Sequence, residues 1–576
     1  MSLNVYRWLQ HVRALWPWLP LWLLVSLLAI FAHGPMPLYS TRTLAVAWDM
    51  WSHGQWLVPH LNGAPYSEKV PLLFWLIHAG WWAFGVNDTW PRVLEVAFGG
   101  GVLVLLAGLA RRLFPDHPWV AKAAPWMWLG LSYAFLFSLQ IMYDVLLLVW
   151  VLAALSCLLP APRRQEPRWL LCGLFTGLGL LTKGPVMLLH VLFPWLLGPL
   201  WSSCAREHRL RWYGRGVLAM LLGLMILLTW AWPAGLAGGV VYRHQLFFSQ
   251  TMARVFSSIS VTQPLQVHAQ PVFWYLLMLP LLLFPFIGWP RVWVALASLR
   301  RPLPVGLCFA LCWVAPSFVV FSLVNGKQLY YLLPEVAGMV LLLCSALALL
   351  RERRPALAGQ NWLGPWPLGV GAMALGLFMF LLPRLVRSHW LHDSWLMDAS
   401  VSSRSFGMVF ILLGLLLLWR GRGELVRLGF AGLVGTAALN MLFALSIWYH
   451  YDLGPTTRFL AVAGAEHCAI GVVGNYNGEF HFAARLIRPI TEMYNTAAIR
   501  AFAAKHPCGL IVSQPAELSP EVFRYSLLAQ PFRSTWKVVW RARTLAALRS
   551  GTIPPDALRP PLIYHGHHKP YHPLPL

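Results

Sequence analysis

Residues 143–201 read YDVLLLVWVLAALSCLLPAPRRQEPRWLLCGLFTGLGLLTKGPVMLLHVLFPWLLGPLW. Apolar runs at 141–159, 168–182 and 185–201 follow one another here. An arginine pair, Arg163-Arg164, parts the first two, and one lysine, Lys183, parts the last two. A helix of about twenty apolar residues satisfies its own backbone and spans a hydrocarbon core of about 30 Å. The stretch therefore predicts consecutive membrane crossings with arginine gathered on one side. Similar runs recur outward from it at 15–33, 93–110, 119–137, 216–234, 272–297, 303–324, 330–350, 364–383, 405–419 and 425–448. The expectation is an all-α polytopic membrane protein of about thirteen helices.

Composition agrees. The 576 residues are 58% hydrophobic and 11% charged, with a mean hydropathy of +0.60, where a soluble chain carries about a quarter charged residues. The net charge of +24 does not point to nucleic acid, because the arginines sit between apolar runs. They read as topology signals and contacts to anionic lipids. With the N-terminus in the cytoplasm, the inner loops hold Arg111-Arg112, Arg163-Arg164, the cluster Arg206 to Arg215, Arg300-Arg301, Arg351 to Arg354, and Arg420 to Arg427. The reverse orientation does not satisfy the positive-inside pattern. Arg7 and Arg13 precede a first run that continues to about residue 33 without a small-residue cleavage site, which reads as a retained span.

This arrangement puts 34–92, 235–271 and the tail on the outer side. Within the first, LAVAWDMWSHGQWLVPHL (44–61) and PLLFWLIHAGWWAFG (71–85) read as helices lying at the interface. The predicted domains are a membrane domain, 1–450, and an extracytoplasmic α/β domain, 455–576, with a disordered His- and Pro-rich end. Strands are predicted at AIGVVG (469–474) and GLIVSQ (509–514), with a helix between them at 494–506 and a late strand in STWKVVWRAR (534–543). None of the eight cysteines forms a CxxC. Six lie in or beside spans, and an extracytoplasmic tail would let Cys468 and Cys508 form a disulfide.

The same orientation gathers scarce charges at one membrane face: Glu68, Lys69, Asp144, Lys183, Arg254, His268 and Lys327. Ionisable residues at membrane depth are costly and mark function by default. Lys69, Lys183, Arg254 and Lys327 suit an anionic head group. Asp144 or Glu68 suits a general base, or an oxygen ligand of a divalent metal. For each residue alone, snorkelling to lipid phosphates explains the position as well; for the group, a shared cavity explains it better. No P-loop or GxGxxG occurs, so no nucleotide cofactor is expected.

The block GQWLVPHLNGAPYSEKVPLLFWLIHAGWWAFGVNDTWPRV (54–93) resembles the first outer loop of a bacterial membrane glycosyltransferase family. That family holds the aminoarabinose transferases that modify lipid A, and it is related to protein O-mannosyltransferases. YDVLLLVWVLAAL (143–155), GLGLLTKGPVMLL (177–189), QVHAQPVFWYLLMLPLLLFPF (266–286) and NGKQLYYLLPEVAGMVLL (325–342) resemble further family segments in the same order. The resemblance covers about residues 5–450 and the tail only loosely. It implies a GT-C fold in the bacterial inner membrane, with an outward cavity, a polyprenyl-phosphate sugar donor, and a lipid, glycan or protein acceptor. It implies that Lys69 contacts the donor phosphate and that Glu68 helps build a metal-binding corner. Lys183, Arg254, Lys327 and Tyr330 would line the phosphate site, with Arg42, Tyr66 and His268 elsewhere in the pocket. Asp144 matches a family aspartate near the site.

The chain departs from the family at two chemical positions. Where the family opens its first outer loop with Asp-Glu, this chain has Tyr39-Ser40, and where the family has a metal-associated histidine it has Thr251. A phenol with a reference pKa of about 10 is a poor replacement for a carboxylate base. Asp144 or Asp49 takes over as base, the acceptor needs none, or the chain binds polyprenyl-phosphate lipid without transferring sugar. Asp49 lies on a Trp-rich helix and is expected on a solvated face. The lost carboxylates favour a neutral sugar over an aminosugar. A transporter is the remaining alternative, disfavoured by the absence of repeat halves.

Overall fold

The computed structural model describes residues 18–160, 166–249, 269–388, 394–421, 423–552 and 562–563. They divide into two compact units, Met1–Ala32 with Ser67–Leu442, and His33–Tyr66 with Phe443–Leu576.

The first unit is helical. Six helices are long and apolar enough to cross a membrane: Thr89–Leu113, Arg209–Ala237, Val305–Leu323, Leu329–Arg353 with its 3-10 entry, Trp366–Arg387 and Glu424–Ser446. Shorter apolar helices lie at Trp18–Ala32, Leu72–Phe84, Tyr143–Leu158, Trp169–Lys183, Val186–Leu196 and Ser403–Leu418. Three expected spans are interrupted. Residues 185–201 form Val186–Leu196 and Gly198–Trp201, parted at Leu197. Residues 119–137 form Pro118–Gly130 and Ser132–Phe137, parted by an extended Leu131. Residues 272–297 form Trp274–Leu282, a 3-10 turn at Phe286–Gly288 and Pro290–Ala297. Pro285 and Pro290 lack the N–H that would carry one helix through.

Helices Trp366–Arg387 and Ser403–Leu418 approach through glycines spaced seven residues apart, Gly369 and Gly376 against Gly407 and Gly414. A Cβ on Gly376 would lie 2.6 Å from the Gly407 carbonyl oxygen, so small residues are what permit this contact. Arginines in the predicted inner loops cap chain ends. The Arg112 guanidinium donates to the carbonyls of Leu159 (2.8 Å) and Pro160 (3.1 Å), just past helix Tyr143–Leu158. Arg353 donates to Arg300 O at 3.0 Å and Pro302 O at 3.2 Å. A cation at a helix C-terminus meets carbonyls that have no intrahelical partner.

The second unit is built on a mixed sheet. Its strands are β3 (Ile470–Val473), β4 (Thr491–Met493), β5 (Leu510–Ser513), β6 (Leu528–Phe532), β7 (Thr535–Arg541) and β8 (Leu562–Ile563), in the order β4-β3-β5-β7-β6-β8. β3 runs parallel to β4 and β5, and β7 runs antiparallel to β5 and β6. β3, β5, β7 and helix Thr496–Lys505 lie where the sequence predicts them; β4, β6 and helix Gly454–Ala465 are additions. Cys468 and Cys508 are disulfide-bonded, closing a separation of 40 residues.

Segment 33–66, expected as outer loop of the membrane domain, packs in this second unit. Its helix is Ser40–Ser52 and stops well short of residue 61. A hairpin follows, β1 (His60–Leu61) on β2 (Ala64–Pro65), turned by Asn62 and Gly63 at φ values of 56° and 76°. Asn-Gly suits such a two-residue turn because both positions need positive φ. Asn62 then bonds the backbone of Ile490 in both directions, at 2.9 and 2.7 Å. Trp48 Nε1 donates to Leu486 O at 2.8 Å. Asp49 is not solvated but 6% exposed; its Oδ2 accepts from Gly63 N at 3.3 Å. The tertiary contact covers the helix face that hydropathy left open.

A buried polar knot holds residues 476–481. The Tyr476 hydroxyl accepts from the N–H groups of Phe480 (3.0 Å) and His481 (3.1 Å), leaving its own proton for His481 Nδ1 at 2.7 Å. Burial drives the His481 imidazole down to about 4, against the opposing pull of Asp49. The unfolded chain, with a histidine near 6.5, binds the proton more readily. This contribution to stability is complete above about pH 6.5 and is lost as pH falls towards about 4, at up to about 1.4 kcal/mol per pH unit. Unfolding midpoints of the full chain measured across that window are expected to fall with acidification, and to fall less steeply in His481→Asn.

Candidate functional site

In the first unit, helix Trp169–Lys183 ends at Lys183, and Gly184 takes φ 70°, a left-handed conformation that favours glycine. Asp144 lies in the first turn of helix Tyr143–Leu158. Each charge therefore has the sign its helix end favours. The Lys183 ammonium and the Asp144 carboxylate form an ion pair, with side chains 5% and 4% exposed. Two rings border the cation: Lys183 Nζ lies 4.6 Å from the centroid of Tyr331 and 5.5 Å from that of Tyr330. Lys69 Nζ lies 5.2 Å from the ring of Tyr143, the residue before Asp144. Asp144, Lys183 and Tyr330 thus lie together, and Lys69 lies against the residue next to Asp144.

The other expected residues have contacts of their own. Lys327 is 2% exposed, and its ammonium donates to Gln270 O (2.8 Å) and Val324 O (2.6 Å). Those bonds tie the start of one element to the end of another and occupy two of its three donors. Glu68 sits half-buried in a turn beside Ser67, whose hydroxyl donates to Gln245 Oε1 at 3.1 Å. Arg42 and Tyr66 belong to the second unit, where Arg42 donates to Asn477 Oδ1 at 2.7 Å and Tyr66 N–H to Pro59 O at 2.7 Å. Arg254, His268 and Thr251 lie outside the described residues. Among the described residues no three His, Cys, Asp or Glu side chains assemble a metal donor set, around Glu68 or elsewhere.

The structure adds buried polar residues that were not singled out. Glu95 is fully buried, and its Oε1 accepts from Met142 N at 3.2 Å, at the entry to the Asp144 helix. Tyr133 is buried within electrostatic reach of Asp144, Tyr330 and Glu335. His190 and Glu335, both fully buried, bond at 2.6 Å. A signal for them existed, since Glu95, His190 and Glu335 all fall inside apolar runs, where an ionisable side chain is unusual.

Fold and site define a polytopic helical membrane protein with a buried acid–base pair under an aromatic cover. A family model described as dolichyl-phosphate-mannose-protein mannosyltransferase matches residues 68–232, which include Lys69, Asp144 and Lys183. The undecaprenyl phosphate-alpha-4-amino-4-deoxy-L-arabinose arabinosyl transferase 2 of Pseudomonas fluorescens (strain Pf0-1) is 30% identical over 388 residues, 65% of this chain and 67% of that protein. The arabinosyl transferase 1 of that description from Sodalis glossinidius (strain morsitans) is 29% identical over 395 residues, 64% of this chain and 67% of its own. In fold, the chain is similar to the crystal structure of ArnT from Cupriavidus metallidurans bound to undecaprenyl phosphate. The TM-score is 0.68 at 18% identity, covering 91% of this chain and 97% of that one. The apo state of the same protein gives 0.65 at 17%. The chain belongs to the GT-C superfamily, as a divergent member of the lipid-phosphate glycosyltransferase family that includes ArnT and the protein mannosyltransferases.

Proposed function

We propose that this chain transfers a sugar from a polyprenyl-phosphate donor to a lipid or glycan on the outer face of the cytoplasmic membrane. The observation that carries this is the Asp144–Lys183 pair beneath Tyr330 and Tyr331, with Lys69 at the neighbouring Tyr143, in a chain of this family. When a lipid phosphate enters, it competes with Asp144 for the Lys183 ammonium. As the acceptor oxygen bonds to the anomeric carbon and the glycosyl–oxygen bond of the donor breaks, charge grows on the leaving phosphate, and Lys183 and Lys69 stabilise it. Asp144, released from its pairing, accepts the proton of the acceptor hydroxyl. This gives Asp144 the base role that Tyr39 cannot fill.

Orientation and sugar follow as parts of the proposal. The arginine-rich loops lie inside, and the second unit lies outside, where its disulfide is stable. The buried carboxylates Asp144, Glu95 and Glu335 each meet a partner within the chain, which favours a neutral hexose or pentose over an aminosugar. A second reading is a lipid-binding relative without transfer, favoured by Tyr39 in place of the family's aspartate. Mass spectrometry of envelope glycolipids and glycoproteins in a deletion strain separates the two. One sugar mass is expected to vanish on deletion and to return with wild type but not with Lys69→Ala. An unchanged sugar profile on deletion would sink the transferase reading.

A further inference from the structure

His190 and Glu335 form the most enclosed acid–base contact among the described residues, with both side chains 0% exposed. Imidazole Nδ1 and carboxylate Oε1 lie 2.6 Å apart, while His190 Nε2 and Glu335 Oε2 are buried with no polar partner among the described residues. Each side chain therefore depends on this one bond. The imidazole is held flat against Phe321, ring centroids 5.7 Å apart at 30°. Ser317 Oγ, on that same helix, donates to Leu189 O at 3.0 Å.

The placement of the pair along the chain matters. His190 lies seven residues after Lys183, beyond the Gly184-Pro185 turn, on helix Val186–Leu196. Glu335 lies four residues after Tyr331, in the first turn of helix Leu333–Arg353. The contacts close a circuit: Lys183 to His190 along one chain segment, across to Glu335, back to Tyr331 along another, and across again to Lys183 at 4.6 Å. A bond that fixes the two helices fixes the two turns they lead from. We infer that His190 and Glu335 are positioning residues, which hold Tyr330 and Tyr331 over the Lys183 ammonium and so set its readiness for lipid phosphate. The phosphate part rests on the proposed function; the positioning part does not.

The test reads both parts on the purified full-length chain in detergent. Binding of polyprenyl phosphate is measured, and the acylation rate of Lys183 by a small amine-reactive ester is followed by mass spectrometry without lipid. Glu335→Ala is expected to weaken lipid binding about ten-fold or more and to change Lys183 labelling several-fold, while Glu335→Gln, which keeps an acceptor for Nδ1–H, stays close to wild type. In a Tyr331→Ala background Glu335→Ala is expected to add little, because coupled residues are non-additive. If Glu335→Ala does not fold, the double variant His190→Leu/Glu335→Leu leaves no unpaired buried charge and carries the same readouts. Unchanged Lys183 labelling, or effects that add in full to those of Tyr331→Ala, overturns the inference. Wild type that labels as expected yet binds no polyprenyl phosphate overturns the donor reading and leaves the positioning role standing.

Discussion

Replacing Lys183 with methionine is expected to abolish sugar transfer, lowering the rate by about 100-fold or more, the usual result of removing one donor from a developing oxyanion. The same change leaves the Asp144 carboxylate buried without its ammonium. An ion pair broken from one side in a buried site costs about 3–5 kcal/mol, because the remaining charge is uncompensated. Lost activity alone would therefore not separate chemistry from folding. The double variant Asp144→Asn/Lys183→Met does so, since it removes both charges together. It is expected to recover most of the thermal stability and none of the transfer. Transfer near the wild-type rate in that double variant would remove Asp144 and Lys183 from the mechanism.

The largest effect on stability alone is expected at Arg291 and Glu424. Arg291 is 4% exposed, and its guanidinium meets the Glu424 carboxylate as a fork, Nε to Oε2 and Nη2 to Oε1, both at 2.9 Å. Nη2 also donates to Gln360 O at 3.2 Å. Two parallel charge-assisted bonds fix orientation as well as distance. They join the short helix Pro290–Ala297, left by the proline-broken span, to helix Glu424–Ser446. Glu424→Ala strands a buried guanidinium and is expected to destabilise the chain by about 3–5 kcal/mol. Arg291→Met/Glu424→Leu should return close to wild type. Thermal unfolding in detergent checks both, and a Glu424→Ala midpoint equal to wild type would show the pair to be dispensable.

Which parts of this protein the sequence determined follows from how far each interaction reaches. A backbone at membrane depth must bond within its own segment, so apolar runs disclose helices locally. The expected runs reappear as helix, but only six are long and apolar enough to cross a membrane, and three are interrupted, at 119–137, 185–201 and 272–297. Strands β3, β5 and β7 were readable for a similar reason, being short apolar runs between turn residues. Lys69, Asp144 and Lys183 could be assigned to one face because charge is scarce in such a chain and helix ends lie at similar depths, whereas Tyr330 came from the family resemblance alone.

Partnership was not readable, because it depends on how each helix is rotated about its axis, and packing sets that rotation. Asp144 meets Lys183 across 39 residues and His190 meets Glu335 across 145. Lys327 has the same charge and the same predicted depth as Lys183, yet its ammonium is turned onto backbone carbonyls. Asp49 sits on a helix that looks half-solvated by pattern, and residues more than 400 positions away cover its neighbours. A hydropathy pattern records how much surface a residue seeks to bury; only the folded chain decides what it is buried against.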